Sequence, residues 1–152
     1  MINRTSVAVL TITLFVLGIG MASHEGSSSE NADPELARIL ADYTRLYTRE
    51  TLPEWRTLFH SAASIANLGS DGAINVRTLD TFYSAQENYF ATGRRINERL
   101  KDVAIAPGKN MARVTADFVF RDEGEERRGK LGIHLLRQGQ GWKIVGIVFS
   151  YD

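Results

Sequence analysis

The chain has 152 residues, 43% hydrophobic and 24% charged, the balance of one globular domain with a single core. Eighteen Lys and Arg offset eighteen Asp and Glu, so no net field draws it to nucleic acid or an anionic membrane. The absence of Cys excludes disulfides and thiolate chemistry, and with only three His a zinc site needs carboxylate help; no metal or cofactor is expected.

The first segment, "MINRTSVAVLTITLFVLGIGMASHEG", carries Arg4, an apolar run from Val7 to Ile19, and small residues at Gly20 and Ala22. It reads as a secretory signal peptide over residues 1–22, cleaved after Ala22. A retained membrane anchor is the alternative. The mature chain is then secreted or periplasmic, with no membrane attachment once the signal is removed. "SHEGSSSENA" follows, polar and Ser-rich, making residues 23–33 a disordered tether. The folded domain spans residues 34–152.

Asp33 can cap a first helix, with Pro34 in the first turn and Glu35 at its positive end. Leu36, Ile39, Leu40, Tyr43 and Tyr47 recur at helical spacing on one face. "TLPEWRTLF" predicts a short second helix, Thr51 and Glu54 having capping-box spacing, with Trp55, Leu58 and Phe59 inward. A strand from about Ser61 to Leu68 ends at the turn Gly69-Ser70-Asp71-Gly72, and the extended "AINVR" leads to Thr78, the cap of a third helix. Leu79, Phe82, Tyr83, Gln86 and Phe90 share a face of that helix, which Gly93 ends.

Strands follow: "RRINERLKDVAIA" closed by Pro107-Gly108, "MARVTADFVF" turning near Asp122-Glu123-Gly124, "RRGKLGIHLLR", and "WKIVGIVFSYD". Helices followed by a meander predict an α+β domain. Val114, Ala116, Phe118 and Phe120 share one parity, as do Leu131, Ile133 and Leu135, so one sheet face is apolar and meets the helices. The last strand is apolar on both parities: Trp142, Ile144 and Val148 on one, Val145, Ile147, Phe149 and Tyr151 on the other. Either Gly146 marks a bulge that resets the alternation, or the outer face is covered by a second copy. A homodimer through the sheet is the favoured expectation.

Two strings, "ILADYTRLYTRETLPEWRTLFHSAASIANLGSDG" and "QGQGWKIVGIVFSYD", resemble the nuclear transport factor 2-like superfamily, in its SnoaL-like and ketosteroid-isomerase-like branch. The resemblance covers roughly residues 34–152. It implies a cystatin-like α+β cone, a strongly curved antiparallel sheet wrapped around three N-terminal helical segments with a pocket between them. It also implies, for the isomerases, a carboxylate base at the end of the opening strand, a Tyr donor on helix one and a protonated acid on a later strand. Those positions fall on Asn67, Tyr43 and about Ile133. An amide does not take up a proton at neutral pH and Ile does not donate one, so isomerase activity is not expected.

The resemblance instead implies a site for a small, mostly apolar molecule, with Tyr43 and Asn67 as polar contacts and Trp55, Phe59, Tyr83, Phe90, Phe118 and Ile133 as lining. Each has a plain structural reading beside it: the aromatics as core, Asn67 as a strand-end residue bonding its own turn. An enzyme of cyclase or dehydratase type, and a dimeric interaction module whose cavity is plugged by its own rings, are the alternatives. A carboxylate or His inside an open cavity favours the enzyme. His60 reads as structural, His134 and Asp117 as a polar pair on the outer sheet face, and the charged hairpin tip Arg121–Arg128 as solvated.

Overall fold

The computed structural model describes residues 33–152; the expected signal peptide and nearly all of the tether lie outside the described residues. Helix α1 runs Pro34–Arg45, α2 Leu52–Arg56 and α3 Leu79–Ala91. The strands are β1 (Phe59–Leu68), β2 (Ile74–Thr78), β3 (Ile96–Pro107), β4 (Met111–Asp122), β5 (Glu125–Gln138) and β6 (Gly141–Tyr151). No helix among the described residues is long and apolar enough to cross a membrane.

The helix starts follow from capping. Asp33 accepts a 3.0 Å hydrogen bond from the Glu35 N–H, satisfying one of the orphan donors of α1. The same carboxylate accepts from Trp142 Nε1 at 2.9 Å and Arg137 Nη2 at 2.6 Å, tying the start of α1 to the β5–β6 hairpin. The Trp142 bond, above all, holds the Asp33 pKa below the usual carboxylate value. Thr78 caps α3 through the Thr81 N–H, 3.2 Å away, and Gly93 ends it in the left-handed region at φ +78°. The expected capping box at α2 does not form. Thr51 uses its hydroxyl to donate to the Leu46 carbonyl, closing the loop after α1 instead.

The sheet overturns the cone. Its order is β2-β1-β6-β5-β4-β3, with β2 and β3 as free edges, so it is open and does not curl around the helices. Nor is it wholly antiparallel: β1 runs parallel to β6, a pairing that a chain-order meander could not reveal. Local alternation specifies which side chains share a face, but the closing of strands far apart in sequence is a matter of long-range pairing. The helices cover one face, where Leu36, Ile39, Trp55, Leu79 and Phe90 are buried with Val114, Phe118, Ile133, Leu135 and Ile144.

The two-faced last strand is resolved by a bulge. Pairing of β6 with β5 runs Leu135 to Ile144 and then His134 to Gly146, leaving Val145 as the extra residue. The parity resets there, so Trp142 and Ile144 face the helices before the bulge, and Ile147, Phe149 and Tyr151 after it. Val148 is left on the outer face, 55% exposed. Two apolar parities therefore do not by themselves call for a covering subunit.

Candidate functional site

Between the helical layer and the inner sheet face lies a cavity of about 360 Å³. Its apolar wall is Trp55 from α2, Ile65 from β1, Phe82 from α3, Phe118 and Phe120 from β4, Leu131 from β5 and Ile147 and Phe149 from β6. Its polar groups come from Tyr43, Tyr47, Asn67, Arg77, Gln86, Tyr89, Glu98, Arg127 and Tyr151.

Four of the eight candidates read from the sequence line this cavity: Tyr43, Trp55, Asn67 and Phe118. The other four do not. Ile133 is fully buried in the core, so its place on β5 offers nothing to the hollow. Phe59 is 5% exposed and stacks behind Trp55, ring centroids 4.4 Å apart. Phe90 packs edge-on against Tyr47 at 5.3 Å, and Tyr83 carries Arg56 over its ring at 4.8 Å. These rings support the walls and leave the centre open, which is not the arrangement of a plugged module.

Asn67 does not bond its turn. Its Oδ1 accepts from Arg77 Nη2 at 2.6 Å, across the β1–β2 pairing. Arg77 lies over the Phe82 ring at 5.1 Å, and its Nε–H, fully buried, makes no hydrogen bond within the described residues. Trp55 Nε1 is likewise buried without a partner there.

The carboxyl group in the cavity comes from a residue that sequence reasoning passed over. Glu98 sits on β3 between Ile96 and Leu100 on the inward parity, a lone charge in an apolar alternation, and that was the available signal. It is half-buried on the cavity wall. Desolvation pushes its pKa up to about 7, and a hydrogen bond from Tyr43 partly opposes the rise. Burial, with Glu98 alongside, raises the Tyr43 and Tyr47 phenols well above their ordinary value. Tyr47 donates its hydroxyl to Gln86 Oε1, which fixes both at the cavity edge. A neutral Glu98 carboxyl and the Tyr43 phenol can donate to an oxygen on a bound molecule, the Tyr47 proton being committed to Gln86; the ionised Glu98 can accept a proton.

The hairpin tip is not uniformly solvated. Asp122 is 5% exposed, accepts from the Tyr89 hydroxyl, and pairs with Arg94 at 3.2 Å. Arg127 turns back over Phe120 and Tyr151, at 5.2 and 4.9 Å, and reaches the cavity. The outer pair of His134 and Asp117 does not form: Asp117 bonds Lys130 at 2.7 Å, while His134 stands opposite Arg113, four residues along β4. His60 Nδ1 accepts from the Ala62 N–H at 3.1 Å and is not among the cavity residues. No cluster of potential metal ligands occurs among the described residues.

Three solved structures with the same fold are distant in sequence. The β subunit of benzoate 1,2-dioxygenase from Burkholderia mallei superposes with a TM-score of 0.66 at 12% identity, over 81% of this chain and 93% of its own. A nuclear transport factor 2-like protein with a cystatin-like fold from Novosphingobium aromaticivorans gives 0.65 at 14%, over 78% and 80%. Bd1075 from Bdellovibrio bacteriovorus gives 0.65 at 13%, over 78% of this chain, which spans only 40% of that protein. At these identities the likeness is one of fold. No curated protein matches the sequence itself. The SnoaL-like domain model matches residues 36–151, nearly the whole described chain, and the protein therefore belongs to the SnoaL-like family of the nuclear transport factor 2-like superfamily.

Proposed function

We propose that the protein is exported, its signal peptide cleaved after Ala22, and that its domain binds a small, mostly apolar molecule in this cavity without isomerase activity. The observation that carries the reading is the open volume of about 360 Å³, walled by aromatic and aliphatic side chains with a few convergent polar groups. Tyr43, Asn67, Trp55 and Phe118 are the contacts. Native mass spectrometry of the protein purified from its own host is the test. A small molecule should co-purify with the wild type and be lost from Ala85→Trp, which puts an indole into the cavity rim. A bare mass in both, begun at Ser23 or not, counts against the binding role.

Glu98 favours a second reading, an enzyme of cyclase or dehydratase type. A carboxyl group poised near neutral pH beside Tyr43 can give and take a proton in one cycle. Under that reading the bound molecule is converted by the wild type, and Glu98→Gln binds it without converting it.

The proposed partner is a second copy through the outer sheet face. There Val76, Ala66, Val148, Gly132 and Thr115 form one uncharged row across five strands, flanked by the ion pair of Lys130 and Asp117. Val148→Lys should halve the mass seen by light scattering; a wild-type monomer removes the interface.

A further inference from the structure

Two arginines reach the cavity without an acidic partner. Arg77 and Arg127 both line it, and neither makes an ion pair with any carboxylate of the described residues, although eight such pairs form elsewhere. Arg77 is the more constrained. It is half-buried on the edge strand β2, held by Asn67 Oδ1 on one side and the Phe82 face on the other, with its Nε–H bonded to no acceptor among the described residues. A guanidinium keeps its charge at all accessible pH, and withdrawing it from water is costly unless an anion or full hydrogen bonding offsets the loss. The Asn67 carbonyl supplies one bond and the Phe82 quadrupole a partial counter-charge. One buried donor remains without a partner among the described residues, on a side chain that lines the same cavity as Trp55, Phe82 and Ile65.

We propose that the cavity is built for an amphipathic organic monoanion, an apolar body ending in a carboxylate or sulfonate, with the anionic end on Arg77 and the body against the aromatic wall. The inference rests on the binding role proposed above and adds the charge of the ligand. Asn67 then acts by positioning: it fixes one Nη of a guanidinium that lines the cavity. Arg127, over Phe120 and Tyr151, supplies a second positive charge to the same hollow.

The test uses two fluorescent probes that differ by one group, 8-anilinonaphthalene-1-sulfonate and the neutral N-phenyl-1-naphthylamine, titrated into the wild type, Arg77→Met, Arg77→Lys and Ala85→Trp. The wild type should bind the sulfonate at least about tenfold more tightly than the neutral probe, the worth of one buried charge-assisted hydrogen bond. Arg77→Met should erase that preference while keeping the neutral probe, and Arg77→Lys should retain most of it. Equal binding of the two probes by the wild type, or a preference unmoved in Arg77→Met, overturns the anion assignment and leaves the cavity reading intact. Sulfonate binding that persists in Ala85→Trp, or no binding of either probe, overturns both. If Arg77→Met does not fold, as judged by circular dichroism, the wild-type preference and its retention in Arg77→Lys decide.

Discussion

Glu98→Gln should stabilise the protein at pH 8 by about 3 kcal/mol and change it little at pH 4.5. The sign follows from where the proton sits. In the folded state the Glu98 carboxyl titrates near 7, against 4.5 as the ordinary value. Between those values the unfolded chain has released the proton while the folded chain still holds it. Folding free energy from this group is therefore unpenalised below pH 4.5, falls by about 1.4 kcal/mol per pH unit as the pH rises toward 7, and stays reduced above it. A neutral amide of the same shape carries no such penalty. The groups facing Glu98 are phenols, Tyr43 and Tyr47 from the α1 side and Tyr151 from β6, so none supplies a fixed counter-charge. Arg127 belongs to the same row across β3, β4 and β5, but Phe120 stands between them. Tyr43→Phe should shift the midpoint further upward, because the phenol is the one group holding it down. Urea unfolding from pH 4.5 to 8, paired with carbon NMR of the side-chain carboxyl, measures both. A midpoint near 4.5 would mean that water reaches Glu98 freely and that the cavity is not the enclosed, low-dielectric space on which a catalytic role depends.

A lone charge on an apolar parity is also the clearest example of what the sequence carried. Strand alternation placed Val114, Ala116, Phe118 and Phe120 on one face, and all four are buried there. Helix periodicity did the same for Leu36, Ile39, Leu40 and Tyr43, and cap chemistry placed Asp33 and Thr78 at helix starts. These are local rules, set by backbone geometry within a few residues. Applied to "INERLK", the same alternation turns Glu98 inward between Ile96 and Leu100, so half of the site's chemistry was readable and the resemblance drew attention to Ile133 instead. What local rules do not contain is the parallel pairing of β1 with β6, which joins segments about eighty residues apart and fixes an open sheet. Arg77 was hidden for a similar reason. Its side chain matters because β2 pairs antiparallel with β1 and brings it beside Asn67, a contact across a turn and not a spacing along one strand.

Trp55→Ala should cost about 3–5 kcal/mol, a large part of the stability of a domain this size. The indole is 1% exposed and stands at the centre of an aromatic group, with Phe59 at 4.4 Å, Tyr47 at 5.3 Å, Tyr43 at 5.7 Å and Phe82 at 6.3 Å between ring centroids. Its removal deletes contacts on four sides at once. The five-residue α2 that carries it is too short to hold its conformation without tertiary packing. Trp55→Phe separates the two things the indole does. Most of the ring packing survives, and the buried Nε1–H that has no partner among the described residues disappears. Loss of an unsatisfied donor offsets part of the lost volume, so the Phe variant should lie within about 1.5 kcal/mol of wild type. Urea denaturation of both variants followed by circular dichroism gives the comparison, and Trp142 remains in each as the single fluorescent reporter, since the chain has two tryptophans. A Phe variant as unstable as the Ala variant would show that Nε1 is satisfied in the native protein. A nearly neutral Ala variant would instead remove Trp55 from the core and, with it, the wall that makes the hollow a site.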